Sequence, residues 1–101
     1  MLIYNITLKI DSDIESDWIR WQRDVHIPRI MASGFFYDYQ FSKLISHDEE
    51  DGKTYVMQFY TKDKEAFENY KKQQADKLRD LSLQKWANKF VVFESLLEAV
   101  Q

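Results

Sequence analysis

The fold is decided by Trp18-Ile-Arg-Trp-Gln-Arg-Asp-Val-His-Ile-Pro-Arg-Ile-Met31. This stretch holds two of the three tryptophans, one of the two histidines and the only proline of the 101-residue chain. One helical face is marked by the three-and-four spacing of Ile14, Trp18, Trp21 and Val25, which predicts an amphipathic helix. Pro28 has no N–H to donate and its ring crowds the turn before it. We therefore expect this helix to kink or loosen near residues 24–28.

His26 lies inside the turn that Pro28 disturbs, to the side of the tryptophan face, where an imidazole can reach a crevice at the helix edge. Its ordinary pKa near neutrality suits a general base or a hydrogen bond to a ligand. Gln22, one turn earlier, is placed to orient it. The competing interpretation is a structural histidine bonded to backbone. A cavity lined by His26, Gln22 and strand tyrosines or amides would favour ligand binding, and a filled core would favour the structural role.

Before this stretch, strongly hydrophobic residues occupy every second position over 2–10, which predicts a strand there. We place Leu2, Tyr4, Ile6, Leu8 and Ile10 on its helix-facing side because they are the more hydrophobic set. Ser12 with Glu15 three residues later is typical of a capping box, so the first helix should begin there and run to about residues 31–32. Gly34 then suits a left-handed cap.

The second half of the chain repeats this order of elements. We expect strands over 35–45, 54–61 and 90 to about 98, and a helix from 63 to about 84 with a core face of Phe67, Tyr70, Gln74, Leu78 and Leu81. Asp51-Gly52, in the acidic segment 46–53, predicts a hairpin turn. The order β-α-β-β-α-β predicts a single α+β domain over residues 1–101. It is ferredoxin-like, a four-stranded antiparallel sheet with two helices on one face.

The far face of this sheet should be polar, but the sequence leaves apolar residues on it. Either Phe36 and Leu44, or Tyr37 and Phe41, remain on the side away from the helices, and the last strand is apolar on both faces. A sheet that is apolar on both faces, with helices on only one of them, must bury its other face against a second surface. We therefore predict a homodimer packed sheet to sheet.

Composition excludes several classes of partner and chemistry. The net charge of −3 argues against a nucleic-acid partner or an anionic membrane. The RNA-recognition fold shares the predicted topology, but the basic and glycine residues expected where its third strand begins are absent. There is no cysteine, which fits a reducing cytoplasm, and neither a signal peptide nor a transmembrane span is predicted. The motifs predict no metal site and no cofactor.

Six further residues are candidates for a ligand site beside His26. Trp18 could wall an apolar pocket, or it could belong to the helix–sheet core. Strand tyrosines could donate to a ligand, or they could serve the sheet and the dimer interface. Gln58 is an amide among apolar strand residues, so it must find a partner in the protein or in a ligand. The predicted ligand-binding set is Trp18, Gln22, Tyr4, Tyr37, Tyr55 and Gln58, with His26 as the catalytic candidate.

The sequence resembles an uncharacterised bacterial family, domain of unknown function 4286. The resemblance extends over the whole length and has no assigned activity attached to it. Its matching elements are Ile3-Tyr4-Asn5, Trp18 and Trp21, His26-Ile27-Pro28, Met31, Gly34-Phe35, Tyr55, Gln58 and Phe93-Glu94-Ser95-Leu96-Leu97-Glu98.

More distantly, the topology and the His-x-Pro at the end of the first helix resemble the dimeric α+β barrel superfamily. Cofactor-free monooxygenases, isomerases and haem-degrading enzymes belong to that group. The resemblance implies that His26 lines a pocket between helix and sheet, although fold alone does not fix function. Three hypotheses follow. The first is a binder of a small, partly apolar molecule, the second is a non-catalytic assembly module, and the third is a cofactor-free monooxygenase or isomerase with His26 as base.

Overall fold

The computed structural model describes residues 1–46 and 52–100, which form four strands and two interrupted helices. The strands are β1 (Leu2–Ile10), β2 (Asp38–Lys43), β3 (Lys53–Thr61) and β4 (Phe90–Glu98). The first helix consists of a 3₁₀ turn (Ser12–Ile14), α1 (Glu15–Trp21), a π-helical turn (Gln22–His26) and α2 (Ile27–Ala32). The second helix consists of α3 (Lys64–Tyr70), a π-helical turn (Lys71–Ala75) and α4 (Asp76–Trp86).

The strands form one antiparallel sheet in the order β2-β3-β1-β4. Each helix connects two strands that run in the same direction with a third strand between them, which is the split β-α-β arrangement of the ferredoxin-like fold. The predicted fold class is therefore confirmed. The first helix closes the β1–β2 crossover, and the second helix closes the β3–β4 crossover.

The core lies between the helices and one face of the sheet. The face of β1 that we expected to meet the helices is buried, and Tyr4 packs its ring on Phe67 and Tyr70 of α3. Alternate residues of β3 join the same layer, and Phe59 is fully buried within it. Because side chains alternate along a strand, this face assignment fixes what the other face presents.

The second strand is shorter than predicted. Residues 35–37 precede β2, so Phe36 is released from the strand alternation and turns into the core, where it stacks on Tyr4 and meets Phe59. Within β2, Phe41 lies opposite Met57 and packs against Trp18 on the helix side. The expectation that Phe36 or Phe41 would lie on the far face was therefore wrong.

Each helix contains a π-helical turn that shifts its buried face. In the first helix Trp18 is fully buried as predicted, but Trp21 and Val25 are only half-buried, while Gln22 and His26 take the core positions. In the second helix the buried residue after Tyr70 is Ala75, five residues on, and the predicted Gln74 is half-buried. A π-helical turn holds an extra residue, which moves every later side chain around the axis. The disturbance expected near residues 24–28 takes this form.

The helix ends agree with the sequence at one point and differ at another. Gly34 has φ +83°, as a left-handed cap requires. The capping box was wrong: the helix start has no side-chain cap, and Glu15 instead accepts a hydrogen bond from the Tyr55 hydroxyl. Asp63 caps the second helix through its Oδ1, 2.9 Å from the Ala66 nitrogen. The predicted Asp51-Gly52 turn and the acidic run from His47 fall largely outside the described residues.

The face of the sheet away from the helices, here called the open face, carries apolar and amide side chains. At its β4 edge Val91 and Phe93 are 72% and 69% exposed, and Leu97 follows them. At its centre Gln58 donates from Nε2 to the Asn5 Oδ1 at 3.1 Å. The apolar surface that we predicted on the far side is therefore present on the last strand, β4, but not at Phe36 or Phe41.

Candidate functional site

A cavity of about 220 Å³ lies between the sheet, the first π-helical turn and the second helix. Its interior is mostly apolar, with a few polar groups from three elements. The sheet supplies its floor, and α4 faces β4 across its rim. The lining residues are Tyr4, Ile6, Leu8, Gln22, His26, Ile30, Met57, Tyr70, Ala75, Leu78, Arg79, Ser82, Leu83, Phe90, Val92 and Glu94.

His26 enters the cavity from the first π-helical turn. Its ring stacks on Trp21 with centroids 4.8 Å apart, and Trp21 in turn meets the edge of Trp86. Only 7% of the residue is exposed, and Nδ1 is buried without a hydrogen-bond partner. Burial, helped by the positive charge of Arg29, lowers the His26 pKa to about 4. The imidazole is therefore neutral at pH 7 and free of the backbone hydrogen bond at Nδ1 that a structural role would predict.

Gln22 lies one turn before His26 and is fully buried. Neither Oε1 nor Nε2 of its amide has a hydrogen-bond partner among the described protein groups. Burying an amide without a partner costs about 1–3 kcal/mol. Gln22 therefore presents one acceptor and two donors to the cavity at a cost to stability.

A second polar group of side chains stands at the β4 rim of the cavity. Burial, together with the nearby Glu94 carboxylate, raises the pKa of Tyr4 above its usual value and that of Tyr70 to about 12. Glu94 pairs with Arg79 of α4, whose Nη2 lies 3.2 Å from Oε2. This pair raises the Arg79 pKa further. Both phenols therefore stay protonated at neutral pH, and the Tyr4 hydroxyl is hydrogen-bonded to the Glu94 side chain.

The structure brings three of the seven candidate residues to the cavity, namely Tyr4, Gln22 and His26. Trp18 lies in the core between Phe41 and Tyr55 and does not line it. Tyr55 is occupied by Glu15, since its hydroxyl donates to Oε2 at 2.6 Å. This bond lowers the Glu15 pKa, while burial raises that of Tyr55.

The remaining two candidates lie elsewhere. Tyr37 precedes β2, is largely exposed and sits near Tyr60 on the outside of the sheet. Gln58 lies on the open face, where it is bonded to Asn5. Both are therefore separated by the sheet from the cavity that His26 lines.

The two charged residues of the cavity were not predicted from the sequence. Arg79 is outside the core face that a regular helical period predicts for the second helix. Glu94 shares a strand face with Val92 and Leu96, so a carboxylate on the helix-facing side of β4 was the signal that could have identified it. A charge on the apolar side of a strand needs a partner, and the partner is Arg79.

Both π-helical turns contribute to the cavity wall, which links the irregular backbone to the site. The first supplies Gln22 and His26, and the second, which begins directly after Tyr70, supplies Ala75 at its end. Such turns occur often at functional sites because they place side chains that a regular helix would direct elsewhere. Here the extra residue in each helix moves polar groups and a small alanine to the same space.

Residues 1–46 and 52–100 contain no cluster of three or more histidine, aspartate or glutamate side chains that could hold a metal ion. Within the same ranges, no helix has the length and apolar character needed to cross a membrane.

Comparison with known proteins gives one family and a set of similar folds. The sequence matches a family described as domain of unknown function (DUF4286) over residues 1–100. No curated protein matches it. A dimeric ferredoxin-like protein from an uncultured marine organism is 16% identical, with 99% of this chain and 95% of that chain covered, at a TM-score of 0.71.

Two other solved structures widen the range of similar folds. A protein of the ethyl tert-butyl ether (ethd) family from Bacillus halodurans is 15% identical, with 99% of this chain and 100% of that chain covered, at a TM-score of 0.71. SnoaB, a cofactor-independent oxygenase from Streptomyces nogalater, is 13% identical, with 99% and 94% covered, at a TM-score of 0.57. At these identities the likeness concerns the fold alone.

Proposed function

The chain belongs to the family of the domain of unknown function DUF4286, and we propose that it binds a small, largely apolar molecule in the cavity beside His26. One observation carries this proposal. The fully buried Gln22 amide and the buried Nδ1 of His26 have no partner among the described protein groups, and both residues line the 220 Å³ cavity. Buried polar groups without partners are rare in folded proteins, and they are common where a ligand completes them.

The size and lining of the cavity define the class of ligand. An engineered cavity of about 150 Å³ is sufficient for benzene, so this one accommodates a substituted ring. Its apolar floor would bury the ring, and Gln22 and His26 would then meet one polar substituent. A neutral imidazole and an amide together can both accept and donate a hydrogen bond, which suits a hydroxyl or carbonyl better than a charged group.

The proposal is tested by comparing two probes that differ in a single hydroxyl. Wild-type protein is titrated with p-cresol and with toluene, and chemical shifts of the Ile6, Leu8 and Ile30 methyl groups, which line the cavity, are followed by NMR. We expect p-cresol to bind about tenfold more tightly, since one good hydrogen bond is worth about 1.4 kcal/mol. Gln22→Met should remove this preference and leave toluene binding intact.

A matched control uses Gln58, the strand residue whose amide was also predicted to contact a ligand. Gln58→Met also removes a glutamine amide, but on the open face, where that amide is bonded to Asn5. It should leave the preference for p-cresol unchanged. A site at Gln22 would be refuted if neither probe bound the wild-type protein saturably. It would also be refuted if Gln22→Met and Gln58→Met lost the preference for p-cresol equally.

A second candidate function is cofactor-free oxygenation or isomerisation with His26 as the base. The fold is shared with SnoaB, which is described as a cofactor-independent oxygenase, and His26 is unprotonated at neutral pH. However, a base with a pKa of about 4 is poorly matched to a reaction at pH 7. Binding is therefore the better supported function.

Proton abstraction has its own test. Wild-type protein and His26→Leu are incubated with 2-tetralone in D₂O, and deuterium incorporation next to the carbonyl is followed by mass spectrometry. A base in the cavity predicts accelerated exchange that His26→Leu abolishes. Exchange at the buffer rate in both proteins would exclude this chemistry for that ketone.

We also propose that two copies associate through the open face. The similar structure from an uncultured marine organism is described as dimeric, and Val91, Phe93 and Leu97 leave an apolar strip exposed on β4. Association without any chemistry is the alternative to ligand binding, and the p-cresol titration distinguishes them. The net charge of −3 supports a function without nucleic acid, and the absence of cysteine supports a cytoplasmic location.

A further inference from the structure

A second space lies outside the cavity, on the other side of the Arg79–Glu94 ion pair. This outer basin of about 300 Å³ is formed mainly by side chains of the second helix and β4. Four residues line both spaces, and two of them are Arg79 and Glu94. The ion pair therefore stands at the boundary between the cavity and the basin.

The seam between α4 and β4 is closed by this ion pair more than by packing. Leu83 of α4 is 46% exposed, and Val92 and Leu96 of β4 are 41% and 40% exposed, although all three belong to the helix-facing layer or its edge. Apolar side chains that meet across a tight seam would be buried. Arg79 Nη2 bridges the seam to both carboxylate oxygens of Glu94, at 3.4 Å and 3.2 Å.

The Arg79–Glu94 ion pair connects α4 to β4, but it is weak enough to break. The Arg79 and Glu94 side chains are 46% and 33% exposed, so water competes with the bond. Exposed ion pairs shift an equilibrium by about two- to fivefold. Arg79 also has a second carboxylate within reach, since Asp76 Oδ1 lies 3.5 Å from Nη1 on the same helix. The guanidinium can therefore stay paired with Asp76 while it releases Glu94.

We propose that Arg79 and Glu94 form a latch across the α4–β4 seam, and that ligands reach the cavity through the seam when the latch opens. The inference rests on the proposed function for the ligand, but the passage itself can be tested with water alone. The apolar side chains Leu83 and Val92 beside the latch suit the passage of a largely apolar molecule. Both residues control the rate at which molecules enter and leave the cavity.

The passage is tested first without any ligand. The Gln22 side-chain amide is fully buried and unpartnered, so its hydrogens exchange with solvent only when water enters the cavity. Glu94→Gln keeps the shape of the side chain and removes the charge. We expect it to accelerate exchange at Gln22 Nε2 by about two- to fivefold, while backbone amides of β1 keep their wild-type exchange rates.

Two comparisons separate the latch from a general loss of structure. Asp17→Asn removes a carboxylate from another exposed arginine pair, Asp17 with Arg20, and should leave Gln22 exchange unchanged. Arg79→Glu should accelerate the exchange, and the reversed pair of Arg79→Glu with Glu94→Arg should slow it again. Unchanged exchange at Gln22 in Glu94→Gln, or no recovery in the reversed pair, would overturn the latch.

The same variants are then compared in p-cresol binding. A latch predicts that Glu94→Gln raises both the association rate and the dissociation rate of p-cresol. A changed Kd with an unchanged association rate would overturn the latch and assign Glu94 to ligand contact. Failure of p-cresol to bind the wild-type protein would refute the proposed function for this probe, while the Gln22 exchange rates would still decide the latch.

Discussion

At the scale of single residues, Gln22 is a position where stability and binding are opposed. Its buried amide has no hydrogen-bond partner within residues 1–46 and 52–100, so an apolar side chain of similar shape should suit the unliganded fold better. We expect Gln22→Met to stabilise the protein by about 1–2 kcal/mol. Urea unfolding at fixed protein concentration measures the change.

The control for this prediction is again Gln58, whose amide is bonded to Asn5. Gln58→Met leaves the Asn5 carbonyl without its donor and should cost about 1 kcal/mol. A loss of stability in both variants would mean that the Gln22 amide is satisfied in the folded protein.

His26 predicts a dependence of stability on pH. Its folded pKa of about 4 is below the ordinary 6.5, so the unfolded chain takes up the proton first as the pH falls. The free energy of unfolding should therefore decrease between pH 6.5 and pH 4, by about 2 kcal/mol from pH 7 to pH 5. Unfolding of wild type and His26→Leu at both pH values isolates this contribution.

In His26→Leu the contribution of this imidazole should vanish, and the stability at pH 7 should stay within about 1 kcal/mol of wild type. Other titrating groups, such as Glu15, are common to both proteins and cancel in the comparison. An equal decrease in both proteins would show that His26 is protonated in the folded state at pH 5.

Part of the candidate site could be predicted from the sequence, because Gln22 and His26 are polar residues in the helix that Pro28 disturbs. His26 and Gln22 could be named, and Tyr4 could be placed on the helix-facing side of β1. Tyr55 could not be excluded from the sequence, since its partner Glu15 is 40 residues away. Arg79 and Glu94 were missed because their pairing depends on how α4 lies over β4.

At the scale of elements, the strands were predictable and the helix faces were not. Hydrophobic residues at every second position predicted both β1 and its buried face, because a strand with one apolar face can adopt only one register. A regular helical period placed Gln74 in the core, where the structure has Ala75, five residues after Tyr70. A π-helical turn is one extra residue in a helix, and the sequence carries no strong signal for it.

The two helix starts make a prediction about capping. Asp63 accepts a hydrogen bond from the Ala66 nitrogen, so Asp63→Ala should cost about 1 kcal/mol. Ser12 makes no side-chain cap, and Ser12→Ala should change stability by less than about 0.5 kcal/mol. Urea unfolding of both variants measures these changes. Equal losses in the free energy of unfolding would support the capping box that was expected from Ser12 and Glu15.

At the scale of the whole molecule, the proposed dimer depends on the apolar strip of the open face. A lysine in its middle would be desolvated on association, so Phe93→Lys should shift the protein to a monomer in sedimentation equilibrium. Ile45→Lys changes an apolar residue that is even more exposed than Phe93 and lies outside the sheet. It should leave the association unchanged, and dissociation of both variants, or of neither, would place the interface elsewhere.

The position of the cavity on the helix side of the sheet has a consequence for how two copies respond to a ligand. If the open faces meet, two sheet layers about 10 Å apart separate the two cavities, and each α4–β4 seam faces outward. Neither site then shares a moving element with the other. The saturation curve should be hyperbolic, with a Hill coefficient of about one, so the pair would act as two independent receptors and not as a cooperative switch.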